Sequence, residues 1–193
     1  SDFGVPQNRR RAIFVGIRED YGAIFDFNTM AKSNTLVTVY EAIGDLYYSN
    51  DNINNDFLDY ARDTNGAIYN HEKPVHSEIV VRRIAYVPQG GNWKDIPEDL
   101  WENKRNNRHS SAYRRLDFSK PSITIDTGHM NYFHPIENRT PTVRESARLQ
   151  SFPDSFIFYG SRGEQLKQVG NAVPPLLGKA IAEAITKYIE VAK

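Results

Sequence analysis

Apolar residues along this chain are spaced in two ways, and one of them predicts strands. A short apolar run over 12–17 follows a turn containing Gly4 and Pro6, and it predicts a fully buried strand. Strict alternation of apolar and polar residues over 123–127 predicts a second strand. Residues 78–87 hold two apolar groups separated by an arginine pair. Their periodicity leaves strand and helix equally open.

Helices are predicted where apolar residues recur three or four positions apart behind a capping residue. Thr38 and Thr142 each stand three residues before a glutamate, which is the pattern of a capping box. They predict helices over 38–47 and about 142–151. Pro153 should end the second helix, because proline cannot continue a helix interior.

The remaining segments predict loops and one long final helix. Residues 49–66 are rich in Asn and Asp and predict a polar loop, with a short helix at 55–62. Adjacent glycines predict a loop over 88–93. Pro174 and the apolar face that follows it predict a helix reaching about residue 190.

Composition excludes several kinds of chemistry. The 193 residues include no cysteine, so the chain has no disulfide, no thiolate metal site and no cysteine nucleophile. The five histidines lack the spacing of metal ligands, and no metal site is predicted. No apolar run approaches the roughly 20 residues that span a bilayer, and no signal peptide opens the chain. We therefore expect a cytoplasmic protein with no membrane partner.

Charge is balanced overall but unevenly distributed. The formal net charge is zero, yet the segment from Glu19 to Asp63 holds nine acidic and two basic side chains. The rest of the chain is correspondingly basic. This asymmetry is compatible with a polyanionic partner for the basic parts. A solvated acidic lobe without such a partner explains the same asymmetry, and charge alone leaves both open.

Three sequence blocks stand out as carriers of chemistry. Residues 7–11 read QNRRR before the predicted strand, residues 144–154 read RESARLQSFPD, and residues 168–175 read QVGNAVPP. Together and in this order they resemble the last three conserved blocks of the bacterial DNA cytosine-5 methyltransferases. In that family a variable target-recognition domain lies between the first and second blocks.

The resemblance implies a fold and a division of the chain. The fold class is α/β, with a mixed α+β character in this portion, and it is the C-terminal part of an S-adenosylmethionine-dependent methyltransferase. A small, irregular target-recognition domain is inserted in it. The implied divisions are catalytic-domain residues 1–18, recognition domain 19–140, an organising helix 141–160, and a final block with its helix, 161–193.

The family's chemistry implies roles for the first and third blocks. These enzymes flip a cytosine out of the duplex, add a cysteine thiolate to C6, and transfer a methyl group from S-adenosyl-L-methionine to C5. Arg9 and Arg11 match the family's two arginines, and Arg11 is the candidate that stabilises negative charge at the cytosine O2. Asn171 and Ala172 are the cofactor-binding candidates. Gly170 has a structural role, since glycine allows a sharp turn or a close backbone approach.

The second block and the middle of the chain have different implied roles. Arg144 and Arg148 lie on one helix face and are expected to be structural. Trp93 and Trp101 are expected in the core. Double-stranded DNA is the implied partner, read by loop residues and gripped by basic ones. The DNA-binding candidates are Gln89, Gly90, Gly91, Asn92, Lys94, Arg105, Arg108, Arg114, Arg115, Thr124, Asp126, Thr127 and His129.

Parts that the family needs for catalysis are absent from this sequence. The Pro-Cys nucleophile block, the glutamate that contacts cytosine and the first glycine-rich cofactor loop do not occur. We therefore predict no methylation by this chain alone, and expect it to act with an N-terminal catalytic portion. It is either a C-terminal fragment or the small subunit of a split enzyme of a restriction-modification system. The alternative is a stand-alone DNA-binding module without catalysis. Without that portion, both ends expose apolar surface, which predicts self-association or repacking.

Overall fold

The computed structural model combines six helices with one short parallel strand pair in its described part. It describes residues 1–21, 24–48, 53–101, 112–127 and 131–191. The strands pair in register, with Arg114 opposite Tyr132 and Arg115 opposite Phe133. The elements are α1 (Val39–Tyr47), α2 (Asp56–Ala61), α3 (Glu78–Ala85), β1 (Arg114–Arg115), β2 (Tyr132–Phe133), α4 (Val143–Leu149), α5 (Arg162–Asn171) and α6 (Pro175–Val191).

The predicted helices are present and begin at the predicted caps. Thr38 accepts a hydrogen bond from the Glu41 amide, and the Glu41 carboxylate accepts one from the Thr38 amide at 2.8 Å. Thr142 and Glu145 form the same box before α4. Residues 78–85 adopt the helical alternative, and Ile84 faces the core. The short helix expected at 55–62 is α2.

Both predicted strands are wrong. Residues 12–17 form no regular element, and Phe14 is 93% exposed, so the run is neither paired nor buried. Residues 123–127 also form no strand, and only the preceding Ser122 makes an isolated parallel bridge, to Gln7. A strand requires backbone partners on a neighbouring segment, which local periodicity does not reveal. The strands that do form, β1 and β2, have two residues each.

Helix α5 was not expected, although its capping signal is present in the sequence. Ser161 and Glu164 form a capping box of the same kind as those before α1 and α4. The helix ends at Asn171, so Gly170 lies within a helix and not in a turn. Consequently the third block is the end of α5 and the beginning of α6, with Ala172 as the C-cap residue.

The main core joins segments from most of the chain. Helices α1, α2, α4 and α5 contribute its buried apolar side chains, together with Leu116, Ile125 and Tyr132. A second cluster lies under α3 and contains Ile84 and Phe133. A third, smaller cluster holds α6 against the N-terminal segments, and its buried members are Met30, Ala180 and Ala184.

Candidate functional site

The three sequence blocks meet at one hydrogen-bonded centre, which we call the block junction and define as Gln7, Arg9, Ile125, Gln150 and 169–170. The side-chain nitrogen of Gln7 donates to the side-chain oxygen of Gln150 at 2.8 Å. The side-chain oxygen of Gln7 accepts from the backbone amide of Ile125 at 3.1 Å. Gln150 donates in turn to the Val169 carbonyl at 2.9 Å. Both glutamines are almost fully buried. Segments far apart in sequence are therefore fixed to one another by amide groups that both donate and accept.

Arg9 completes the junction. Its Nη1 donates to the carbonyl oxygens of Ile125 and Gly170, both at 3.0 Å. Partial burial, and secondarily the neighbouring Arg11, lower the pKa of Arg9 below its ordinary value, and it remains a cation at any physiological pH. Among the described residues, Nη1 accounts for all the hydrogen bonds of this guanidinium. Arg9 thus ties the third block to the 125 segment and keeps further donors for another group.

Arg11 lies outside the junction. Its side chain is exposed, and its Nη1 donates to the carbonyl of Arg10 at 2.7 Å. Arg10 is exposed too. Among the residues that the structure describes, Arg11 is therefore held only by Arg10, and its exposed side chain is accessible.

Gly170 allows two backbones to touch. A Cβ atom at this position would lie 2.3 Å from the Asp126 carbonyl oxygen and 2.7 Å from the Thr127 nitrogen. No side chain fits there without moving the backbone. The expected close approach thus occurs, and it is made to a protein segment.

The cofactor candidates follow directly after this contact. Asn171 is exposed at the end of α5, and Ala172 is half-buried and packs on the main core. Val173 beside them is exposed. Asn171 and Val173 thus present an accessible amide next to accessible apolar surface.

The loop over 88–92 is exposed but well supported. Gly90 has a φ of 76°, a conformation that glycine adopts without strain. The Gln89 side-chain oxygen accepts from the Phe118 amide at 2.9 Å. The Asn92 side chain caps the short helical turn Trp93–Asp95 by accepting from the Lys94 amide. Of the polar side chains here, Gln89 and Lys94 are exposed, while Asn92 is used in capping.

Arg115 does not lie on the surface. It is 5% exposed, and its guanidinium donates to backbone carbonyls and to Asn138 inside the second cluster. This placement contradicts the expectation that Arg115 contacts DNA phosphate. Its neighbour Arg114 is half-buried and remains a candidate. Alternation along a strand sends adjacent side chains to opposite faces, which explains the different fates of the pair.

The second proposed DNA loop is partly accessible. Thr124 is exposed, and Thr127 is half-buried. Asp126 accepts a hydrogen bond from the Asn131 side chain at 2.5 Å, which holds the carboxylate within the chain. The candidates Arg105, Arg108 and His129 lie outside the described residues.

The two arginines of the second block are buried and form part of the chain's interior. Arg148 makes a two-pronged ion pair with Asp154, at 2.9 and 2.6 Å, and a further one with Asp45 at 2.5 Å. Arg144 donates to the carbonyls of Tyr69 and Pro153, both at 2.9 Å. Neither guanidinium is accessible to a phosphate.

A buried ionic cluster beside α4 was not foreseen from the sequence. Arg139 makes a two-pronged ion pair with Glu145, the capping glutamate, at 2.8 and 2.7 Å. The fully buried His134 lies next to it, with Nε2 3.8 Å from the Glu145 carboxylate. Burial lowers the pKa of His134 to about 4. The capping box indicated Glu145, but no sequence signal indicated its two neighbours Arg139 and His134.

The described part of the chain contains no helix long and apolar enough to cross a membrane. Its His, Asp and Glu side chains form no group of three that could hold a metal ion.

Comparison with known proteins supports the family resemblance. The model of the C-5 cytosine-specific DNA methylase family matches residues 1–187. Type II methyltransferase M1.HphI of Haemophilus parahaemolyticus is 41% identical over 187 residues, which are 97% of this chain and 46% of the relative. M.BbvI of Brevibacillus brevis is 38% identical over 191 residues, with 96% and 46% coverage. The chain thus spans about half the length of these curated relatives.

Two further comparisons concern length and fold. M.AquIB of Picosynechococcus is 37% identical over 134 residues, which cover 63% of this chain and 90% of that relative. A crystal structure described as a candidate prophage-encoded DNA modification methyltransferase of E. coli superposes with a TM-score of 0.74 at 22% identity. It covers 98% of this chain and 58% of that one. This chain belongs to the C-5 cytosine-specific DNA methylase family.

Proposed function

We propose that this chain is the DNA-recognising, C-terminal portion of a DNA (cytosine-5-)-methyltransferase of a type II restriction-modification system. The complete enzyme transfers a methyl group from S-adenosylmethionine to C5 of a cytosine flipped out of a specific duplex sequence. The observation that carries the proposal is the block junction, where all three family blocks are joined by hydrogen bonds through Gln7, Arg9 and Gln150.

The arginines of the first block serve the cytosine. Negative charge spreads to O2 of the ring when a nucleophile adds at C6, and a guanidinium placed there stabilises the transition state more than the ground state. Arg11 is accessible and takes this role once a partner surface orders it. Arg9 is already fixed by Ile125 and Gly170, so it positions this wall of the pocket. The nucleophilic cysteine comes from another portion, because this sequence has none.

The third block serves the cofactor. S-adenosylmethionine supplies an electrophilic methyl group when it is bound. Asn171 and Ala172 form one edge of its site, next to the rigid contact between Gly170 and Asp126. The rest of the site belongs to the N-terminal portion.

Residues 19–140 form the recognition domain in this proposal. In this domain the exposed Gln89, Lys94 and Thr124 and the half-buried Arg114 reach base edges or phosphates. Residues 1–18 and 161–193 belong to the catalytic domain, and 141–160 organise the recognition domain.

Complementation tests the proposal. This chain is co-expressed with an N-terminal catalytic portion, taken from the same locus or from the M1.HphI relative, and labelled methyl transfer to plasmid DNA is measured. Supply in trans is reasonable because M.AquIB consists largely of the portion matched here. We expect transfer only when both polypeptides are present. A co-purifying, folded complex that transfers no methyl group would overturn the proposal, and DNA binding by this chain without methylation would favour a stand-alone binding module.

A further inference from the structure

Arg115 joins two segments, 84–87, which leads into the 88–92 loop, and 134–138. Its guanidinium is buried, and among the described residues it has no carboxylate partner, although burial of a cation is costly. Backbone oxygens compensate for this cost, and burial also lowers the pKa of Arg115 without making it neutral. The acceptors are Val87 O at 2.5 Å, Ile84 O at 2.6 Å, Asn138 Oδ1 at 2.8 Å, His134 O at 2.9 Å, Glu137 O at 3.1 Å and Ile136 O at 3.3 Å.

The backbone of the same residue binds the loop itself. The Gly90 amide donates to the Arg115 carbonyl, and the Arg115 amide donates to the Gly91 carbonyl, both at 3.1 Å. Gln89 is fixed one step further on by the Phe118 amide. The backbone of Arg115 therefore fixes the loop, and its side chain fixes the preceding segment 84–87 and the segment 134–138.

We infer that Arg115 is a positioning residue for sequence recognition, which fixes the 88–92 loop in its reading conformation before DNA arrives. The inference rests on the proposed function, since it assumes that the exposed Gln89 and its loop face bases. A loop that is already ordered loses less conformational entropy on binding and cannot easily adapt to a wrong base pair. Arg115 thus contributes to specificity without touching DNA.

A positioning role and a phosphate contact make different predictions. A lost phosphate contact weakens binding evenly across sequences and reduces the salt dependence by about one ion. A loosened reading loop instead lets the enzyme accept neighbouring sequences while the number of released ions stays unchanged. The spread of methylated sequences therefore separates the two roles, and simple loss of stability would not alter it.

The experiment compares Arg115→Lys with the adjacent Arg114→Lys in the complemented enzyme. Lysine keeps the charge, but its three donors cannot satisfy six acceptors in different directions. Plasmid DNA is methylated by each enzyme and mapped by bisulfite sequencing, which does not require the target sequence in advance. We expect Arg115→Lys to raise methylation at sequences one base pair from the target about tenfold relative to the target, and Arg114→Lys to leave this ratio unchanged. An unchanged ratio for Arg115→Lys overturns the inference.

A second measurement keeps the inference testable if Arg115→Lys folds poorly or the complemented enzyme is inactive. Asn138→Ala removes one acceptor at an exposed position and leaves the guanidinium in place. Hydrogen exchange of this chain alone should then quicken several-fold at the amides of Gly90 and Phe118, and not in α1. Unchanged exchange at these amides in Asn138→Ala and in any folded Arg115→Lys protein overturns the inference. Failure of wild-type methylation bears only on the proposed function.

Discussion

At the scale of single residues, Gly170 is a position where one methyl group has no room. The atoms that a Cβ would meet belong to the backbone at Asp126 and Thr127, so no side chain can move aside. We expect Gly170→Ala to lower the free energy of unfolding by about 1–3 kcal/mol, as for other overpacked sites. Urea denaturation followed by circular dichroism measures it.

Gly163 in the same helix provides the matched control. A Cβ there meets nothing within 4 Å, so Gly163→Ala should be neutral or stabilise by up to ~1 kcal/mol through helix propensity. Equal effects of the two substitutions would contradict the close contact of α5 with the 126–127 segment.

His134 makes stability depend on pH. Its Nδ1 accepts from the amides of Ile136 and Glu137, and burial lowers its pKa to about 4, opposed by Glu145 and reinforced by Arg139. The His134 side chain binds a proton near pH 6.5 in the unfolded chain but only near pH 4 in the folded chain. The contribution of neutral His134 to stability is therefore fully present above pH 6.5. This contribution decreases, by roughly 3 kcal/mol, as the pH falls from 6.5 to 4.

The variant His134→Asn isolates this contribution. The asparagine oxygen can replace Nδ1 as an acceptor but does not titrate. Unfolding free energies between pH 7 and 4 should show a shallower loss in the variant, because Glu145, whose pKa is lowered below its ordinary value of 4.5, affects stability only at lower pH. Parallel pH curves for the two proteins would refute a role for His134.

At the scale of elements, local signals in the sequence predict helices and fail for strands. Thr38 and Thr142 locate α1 and α4, because capping boxes involve residues three apart. Ser161 would have located α5 by the same rule. The run at 12–17 misleads, since a strand exists only when a distant segment offers its backbone. The junction illustrates both the success and the limit of prediction from sequence. The blocks indicate Gln7 and Arg9, but only the folded chain shows that Arg9 donates to the Gly170 carbonyl.

Helix α4 is held by buried ion pairs as well as by its apolar residues. Arg148 connects it to Asp45 of α1 and to Asp154 beyond its own end. Arg148→Met would remove this partner from both carboxylates, and Asp154 is fully buried. We expect the free energy of unfolding to decrease by about 3–5 kcal/mol. Thermal unfolding should show a large decrease in Tm. The control Arg82→Met, at an exposed position of α3, should change it little, and similar losses in the two variants would disprove the buried tether.

At the scale of the whole molecule, the junction is made by side chains at distant points of the sequence. Gln7 and Gln150 are 143 positions apart, yet they share a hydrogen bond. The apolar segment 12–17 follows Arg9 in sequence, and no described residue pairs with its backbone. The chain's own contacts therefore order the junction, whereas segment 12–17 forms no regular element.

This exposed segment predicts the solution behaviour of the isolated chain. Phe14 is 93% exposed in a run that forms no regular element, and exposed apolar side chains promote association. We expect the chain alone to self-associate and Phe14→Ser to weaken the association about tenfold or more, which is the value of one buried aromatic side chain. Val75→Ser, at a valine that is 97% exposed outside the segment, should have no effect. Light scattering over a concentration series measures all three proteins.

Addition of the N-terminal catalytic portion should disperse the wild-type assemblies, because it competes for the same segment. A wild-type chain that stays monomeric at all concentrations would show that 12–17 does not act as an interface.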